Sequence, residues 1–456
     1  MIEKNEVLKM SQGLNIRPDT VEKDYILGWM LHGINQHNAI SHWAFKGGTS
    51  LKKCFFETFR FSEDLYFTLT EPDQLTVDFL LQIFGDITDQ LSEEIGIEFF
   101  KDRFSFKIID KENGNFSAQG KIHYNGPLRR TQGVASIKLD LTNDEILVLN
   151  TEEREVHHPY TDKPESGIVA NCYAFEEVVA EKIRALAQRA RPRDLYDVVH
   201  FFRNREIIKS PKTVCSVLKE KCTFKNIEIP TYQSIMNHEK IDELEPQWKN
   251  MLVHQLPYLP PIESFLEDLP PFFDWLESQL TEEHVGTYGS ADEIRFQPGR
   301  VTSADTVDGL LQNIQFAAAN RLCVRLRYSD KDRTVEPLSF RTSRAGNELF
   351  YGHERESGYP KAYTLSKIQS VEITNIPYKE QYPVEISATD TISMPPIRRE
   401  STNYSSSYYG APKHLYECPM CGKTFKRKKQ NSTLRAHKDK DGWDCSGRSG
   451  IYLGYE

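Results

Sequence analysis

Over residues 65–70 and 135–142, apolar and polar side chains alternate with a period of two, as in strands with one buried face. In the first run Leu65, Phe67 and Leu69 share one face, and Asp64, Tyr66 and Thr68 the other. In the second, Ala135, Ile137, Leu139 and Leu141 oppose Ser136, Lys138, Asp140 and Thr142. Over residues 173–190 the period becomes helical, and Phe175, Val178, Val179, Ile183 and Leu186 form a stripe. Lys182 lies within that stripe, so its ammonium either snorkels to water or faces a buried anion. Pro192 suits the first position of a further helix with an apolar face of Leu195, Val198, Val199 and Phe202. Asp194 falls in its first turn, where the helix dipole favours a carboxylate, and Asp197 shares its flank.

Helical and strand-like stretches alternate to about residue 285, which predicts one α/β (α+β) unit over 1–285. Residues 286–299, rich in Gly, Ser and Asp, read as a linker. Residues 300–385 differ: a helix over 305–320 precedes the short runs CVRLRY, TVEPLSF, ELFYGHE and SVEIT, which predict a small β-barrel or sheet. Residues 386–412, with Pro395, Pro396 and a Ser- and Tyr-rich run, read as a second linker, and a last module occupies 413–456.

Composition narrows the class. The chain has 456 residues, 39% hydrophobic and 27% charged, with net charge −9, which excludes a disordered chain and uniform coating by nucleic acid but not local basic patches. No run of about 20 apolar residues predicts a membrane span. Residues 1–14 carry charges where a signal peptide needs an apolar stretch, so a cytoplasmic protein is expected. Cys54, Cys172, Cys215, Cys222 and Cys323 are scattered and read as free, buried thiols.

Two constellations carry candidate chemistry. The turn K-G-G-T-S-L over residues 46–51 places paired glycines, whose backbone N–H groups can approach phosphate oxygens, ahead of R-F-S-E-D-L over residues 60–65. Neighbouring strands could bring Asp64 and Asp140 together, and two carboxylates can hold magnesium; an ordinary solvated polar face is the plainer alternative. Near the C-terminus, Cys418 and Cys421 with His437 and Cys445 offer three thiolates and an imidazole, a tetrahedral set for zinc, with His414 an alternative ligand. Phe425 and Leu434 are spaced like the small core of a Cys-Cys-His-His finger, with Leu434 one helical turn before His437. Lys423, Lys426, Arg427, Lys428, Lys429, Arg435 and Lys438 make this module basic, and phosphate attraction is the functional reading. An acidic partner, or simple solubility, is the alternative.

Five ordered motifs together resemble the AbiEii/AbiGii toxin family of nucleotidyltransferases. They are T-V-E-K-D-Y-I-L (20–27), K-G-G-T-S-L (46–51), R-F-S-E-D-L (60–65), I-K-L-D-L (137–141), and E-E-V-V-A-E-K-I-R-A-L-A-Q-R (176–189) followed by R-D-L-Y-D (193–197). The resemblance implies a nucleotidyltransferase fold with a helical segment, and a nucleotide-binding group of Lys46, Gly47, Gly48, Thr49, Ser50, Arg60 and Ser62. It implies Asp64 as a magnesium ligand with Asp140 as a further carboxylate, Lys182 against the nucleotide phosphates, and Asp194 or Asp197 positioning that lysine or the acceptor. The implied reaction is metal-dependent transfer of a nucleotide from a nucleoside triphosphate to RNA, the tRNA end being the acceptor in characterised relatives. The setting is phage defence or a toxin–antitoxin pair, with an antitoxin protein as partner. One position departs: the family reads S-E-D-L-D, whereas residues 62–66 read S-E-D-L-Y. A phenol is a poor magnesium ligand. Substitution by another carboxylate such as Asp140 or Glu63, slow activity and a dead site all stay open. The rival function is a degenerate nucleotide- or nucleic-acid-binding sensor. Residues 333–340, 349–354 and 363–371 resemble, more weakly, a WYL-type β-barrel domain, for which Arg333, Tyr351, His353 and Arg355 are candidate contacts and a plain β surface the alternative.

Overall fold

The alternating runs become adjacent strands in a computed structural model that describes residues 1–111, 114–130, 133–281, 307–343, 346–386, 414–427 and 431–455. Two units are distinguished, Met1–Ile397 and Arg398–Glu456. The first opens with helices α1 (Lys4–Leu14) and α2 (Pro18–Gln36) and strand β1 (Ala44–Lys46). The strand runs directly into the short helix α3 (Gly47–Ser50) and a π-helical turn (Leu51–Phe55). Strand β2 (Asp64–Thr68), helix α4 (Val77–Ile95) and strands β3 (Glu98–Phe99), β4 (Ser105–Asp110), β5 (Phe116–Asn125), β6 (Ala135–Thr142), β7 (Glu152–Glu155) and β8 (Val169–Cys172) follow. Helices α5 (Phe175–Arg189), α6 (Pro192–Arg203), α7 (Pro211–Phe224), α8 (Tyr232–Met236), α9 (Leu244–Leu252), α10 (Glu263–Leu266) and α11 (Leu269–Thr281) complete this part.

Strands β1–β8 form one mixed sheet in the order β3-β5-β6-β2-β1-β8-β7, with β4 also paired to β5. β2 runs parallel to β6 and antiparallel to β1, and the register aligns Lys46, Tyr66 and Asp140 across the three strands. Because side chains alternate faces, Asp64 joins Tyr66 and Asp140 on one side, while Leu65, Phe67, Leu139 and Leu141 enter the core on the other. Thr68 departs from the solvated pattern: it is buried, and its hydroxyl lies 2.6 Å from that of Tyr173. Local signals set the helix ends. Thr76 accepts from the Phe79 N–H to cap α4, and Gly96 closes it in the left-handed conformation. Pro192 starts α6.

A second sheet in the same unit follows α12 (Val307–Ala319). It comprises β9 (Leu322–Tyr328), β10 (Lys331–Thr342), β11 (Glu348–Glu354), β12 (Tyr359–Thr364) and β13 (Ile368–Pro377), in the order β12-β11-β10-β9-β13. Of the barrel or sheet expected from these strands it is the sheet, open and antiparallel with β12 and β13 as its two edges, and not the small barrel that the WYL-type resemblance implies. α12 lies against β9, β10 and β13 and covers the apolar face that barrel closure would otherwise bury. Ile314, Ala318, Val324, Leu326, Val335 and Phe350 belong to the same continuous core as the first sheet. The seam is pinned by polar bonds: Tyr196 donates to Asn320 Oδ1 (3.0 Å), and Arg203 to the Asn320 carbonyl (2.9 Å).

The second unit contains β14 (His414–Glu417), β15 (Thr424–Arg427), β16 (His437–Lys438), β17 (Asp444–Cys445) and β18 (Ile451–Tyr455). Strands β15-β14-β18 form one small sheet and β16-β17 another. The helix expected before His437 is not found among the described residues; the ligand instead sits on a two-residue strand directly opposite Cys445. The sequence turns back through a hairpin of polar residues and Gly442, which leaves no helical run to carry the imidazole. Both linker expectations, and Lys428 and Lys429, lie outside the described residues, apart from Ile386. No described helix is long and apolar enough to cross a membrane.

Candidate functional site

The polar face of β2 and β6 meets the glycine turn at the end of β1. Gly47 adopts φ +83°, and a Cβ there would lie 2.9 Å from the Tyr66 ring; a Cβ on Gly48 would lie 2.7 Å from the Arg60 guanidinium. Both glycines are therefore required by backbone conformation or by close approach. The hydroxyls of the turn point inward: Thr49 donates to the Asp64 carbonyl (2.5 Å) and Ser50 to the Gly47 carbonyl (2.8 Å). These bonds tie the turn to the start of β2, leaving first-turn backbone N–H groups as the donors a helix start offers. Ser62 is buried just ahead of β2.

Tyr66 stands between Lys46 and Asp140 and donates to Asp64 Oδ2 (3.3 Å). Burial, with the Asp64 and Asp140 carboxylates adding to it, pushes its phenol up to about 12, so the group is neutral. Burial also raises the Asp140 carboxyl; Lys46 opposes that rise and Asp64 adds to it. Glu63, by contrast, is bound to Lys23 at 3.0 Å and lies 3.5 Å from His254, which turns it toward α2. Asp140, not Glu63, therefore shares the face of Asp64.

The cations nominated from sequence are braced from behind. Arg60 makes a two-pronged contact with Asp197 (2.7 and 2.7 Å) and donates to Gln255 (3.1 Å). Lys182 lies 2.8 Å from Asp197 and 3.5 Å from Asp194, so within the apolar stripe it faces buried anions and does not snorkel. Arg189 holds Asp194 through two bonds of 2.6 and 2.8 Å. Burial works against both aspartates, but Arg60 and Lys182 hold Asp197 below its ordinary range, and Lys182 and Arg189 do the same for Asp194. Asp194 and Asp197 are fully enclosed, whereas Asp64 and Asp140 are half-buried on the open face. Lys46 lies 3.2 Å from Glu181; burial disfavours its ammonium, yet Glu181 and its neighbours keep its pKa above the ordinary value.

Sequence reasoning passed over two features here. Glu181 adjoins an enclosed charge cluster in which Lys221 contacts Glu177 (2.9 Å) and Arg184 contacts Glu145 (2.6 Å). Glu177, Glu181 and Arg184 share helical spacing on α5, but only the tertiary fold brings Glu145 and Lys221 to them. The other is Arg193, in the second position of α6. Its guanidinium has no ion pair or hydrogen bond among the described residues, and its charge acts on Tyr66, Asp64 and Glu63. Burial and repulsion by Arg60 lower its pKa. Its place directly after a helix-starting Pro192 was the available signal. The motif at residues 20–27 proves to be bracing: Glu22 accepts from the Leu128 N–H (2.7 Å), Asp24 pairs with Lys53 (2.6 Å) and Tyr25 donates to Asp162 (2.7 Å).

In the second unit, one ligand atom each from Cys418, Cys421, His437 and Cys445 lies within 4.8 Å of all the others. Cys418 and Cys445 sulfurs are 3.7 Å apart, and Cys421 Sγ is 3.4 Å from His437 Nε2. Sulfur–metal bonds of about 2.3 Å at tetrahedral angles require separations of this size. Tyr416 and Leu434 pack beside the ligands, with Phe425 against them. His414 lies on β14 and is not part of this set.

A glycine turn running from one strand into a helix, beside a parallel strand pair bearing two carboxylates, is a nucleotidyltransferase layout. A family model described as "Nucleotidyl transferase AbiEii toxin, Type IV TA system" matches residues 29–278. The chain belongs to this family of nucleotidyltransferase enzymes. Among solved structures, MenT4, a nucleotidyltransferase toxin from Mycobacterium tuberculosis, is similar at 18% identity and a TM-score of 0.42, over 61% of this chain and 90% of that one. JHP933 from Helicobacter pylori is similar at 14% identity and a TM-score of 0.37, over 58% of this chain and 94% of that one. No curated protein matches.

Proposed function

We propose that the protein transfers a nucleotide from a nucleoside triphosphate to an RNA, using the face shared by Asp64, Asp140 and the Gly47–Gly48 turn. The observation carrying this reading is the register that sets Asp140 beside Tyr66, two residues from Asp64, at the end of the glycine turn. Two carboxylates on one face, one of them raised by burial and further by the other's charge, suit a divalent cation, which would offset both effects. Asp64 and Asp140 would hold magnesium, whose chemistry is to neutralise charge on the phosphoryl oxygens. The backbone of Gly47 and Gly48 would cradle the phosphates. Arg193, with no partner among the described residues, is the cation best placed to take a phosphate oxygen; Arg60 and Lys182 are locked to Asp197 and position the wall behind the turn. Thus Asp194 and Asp197 act as positioning residues in this account. Tyr66 fills the second-carboxylate position with a neutral group, so the reaction is slow in the native chain.

Zinc is the metal proposed for the Cys418–Cys421–His437–Cys445 set, because thiolates and imidazole select it over magnesium. Phage defence or a toxin–antitoxin pair, the latter with an antitoxin protein as partner, is the proposed setting. The test is label transfer from each of the four nucleoside triphosphates to total tRNA with magnesium. Tyr66→Asp is expected to raise transfer about tenfold or more by restoring a ligand; no label on RNA from either protein ends the proposal. The neutral Tyr66 also favours a second reading, a nucleotide sensor without turnover. That reading predicts triphosphate binding and a cellular phenotype that both survive Asp64→Ala; loss of the phenotype with binding intact rejects it.

A further inference from the structure

The polar turn between β16 and β17 presents the one strongly exposed tryptophan of the five in the chain. Trp443 is 75% exposed, whereas Trp29, Trp43 and Trp248 are buried and Trp275 is half-buried. The turn that carries it is built, not loose. The Asp439 carboxylate accepts the N–H groups of Asp441 (3.0 Å) and Trp443 (2.9 Å), and the Asp439 N–H closes on the Trp443 carbonyl (2.8 Å). Below it, His437 faces Cys445 across the two-residue ladder, so the ligand set clamps the base of the hairpin. An indole carried toward solvent on a hydrogen-bonded turn exposes a large apolar area, and with only two side-chain torsions it has little conformational entropy to lose on binding.

Cations gather around the same hairpin. Lys423 reaches the Lys438 carbonyl (3.3 Å), and the Lys440 ammonium lies 4.0 Å from the position a Cβ on Gly422 would take. Residues 413–456 carry ten Lys and Arg against five Asp and Glu, in a chain whose net charge is −9. Of the acids around Trp443, Asp439 is engaged by backbone donors, whereas Asp441 and Asp444 are exposed and Asp444 lies opposite Lys438 in the ladder.

We propose that this hairpin is a docking surface for single-stranded RNA, with Trp443 stacking on an unpaired base and Lys423, Lys438 and Lys440 meeting the flanking phosphates. A flat aromatic ring beside point cations suits a strand whose bases offer free π-faces; a duplex hides those faces. An acidic polypeptide would use the lysines and leave the indole without a partner. The proposal deepens the RNA-acceptor reading given above by naming where the acceptor strand is gripped, and does not require that transfer occurs.

The test uses the full-length, zinc-loaded chain and a labelled, unstructured RNA of about twelve nucleotides, followed by fluorescence anisotropy at low and moderate salt. Trp443→Ala is expected to weaken binding about tenfold or more and Trp443→Phe to retain most of it. Lys423→Ala combined with Lys438→Ala is expected to flatten the salt dependence by about two phosphate contacts. Zinc content of each variant reports whether the module is still folded. Unchanged affinity in a zinc-replete Trp443→Ala protein overturns the proposal. So does equal or tighter binding of a perfect duplex or of DNA of the same sequence, or Trp443-dependent binding of polyglutamate in place of RNA. Label transfer is measured alongside: Trp443-dependent RNA binding with no transfer fails the transferase reading alone, whereas transfer with RNA affinity unchanged by Trp443→Ala fails this one alone.

Discussion

At the scale of single residues, the site is divided between groups that face outward and groups that hold them. Asp197 shows the second kind. Its carboxylate satisfies Arg60 and Lys182 together in a place fully shielded from water. Removing one partner of a buried ion pair strands the other charge, at a cost of about 3–5 kcal/mol. Asp197→Ala is therefore expected to lose stability on that scale in a urea titration, and a loss below about 1 kcal/mol contradicts the bracing role. His200 is the neutral counterpart. Its ring sits edge-on to Phe56 (5.0 Å) and Phe59 (4.9 Å), and neither ring nitrogen has a hydrogen-bond partner among the described residues. Burial depresses its pKa to about 3; Arg203, Arg321 and Arg60 deepen the shift and Asp197 opposes it. A histidine depressed in the fold favours unfolding once the unfolded form protonates. Its contribution is whole above about pH 6.5 and is lost as pH falls from there toward 3, by up to about 1.4 kcal/mol per unit. His200→Phe should flatten the acid limb of stability against pH by that slope; an unchanged slope rejects the assignment.

At the scale of elements, the glycine turn couples β1, β2 and α6. A Cβ on Gly48 would meet a guanidinium that Asp197 holds in place, so the side chain cannot swing away. Gly48→Ala is expected to cost about 1–3 kcal/mol and to lower nucleotide affinity, measured by thermal melts and triphosphate titration. A variant as stable and as tight as wild type would show that the turn tolerates a side chain. Strand β6 was legible to the residue, because its alternation is long and Ile137, Leu139 and Leu141 on one face are all buried. Strand β2 was legible only in part, since Thr68 breaks the pattern by pairing with Tyr173, a residue more than a hundred positions later. The choice between barrel and open sheet for the second β region was not legible, because edge pairing depends on where α12 lies and not on strand composition. Nor was the β16–β17 hairpin, as the spacing of Leu434 and His437 fits a helical turn as well as a short strand. The ion pairs of Lys182 were half-visible: its place in an apolar stripe announced a buried anion or a snorkel, the resemblance offered Asp194 or Asp197, and the fold sets Lys182 against both.

At the scale of the whole molecule, two units divide the charge. The nucleotidyltransferase core and its second sheet carry the chain's acidic excess, whereas residues 413–456 are basic. On this account the first unit supplies the triphosphate site and the second grips the acceptor. The most direct test of the central claim is initial-rate transfer of label from nucleoside triphosphate to RNA by wild type, Asp64→Asn and Asp140→Asn, each matched for melting temperature. The account predicts that both substitutions reduce the rate a hundredfold or more, since each removes a charge the divalent cation needs. Transfer that proceeds undiminished when both carboxylates are amides would contradict it.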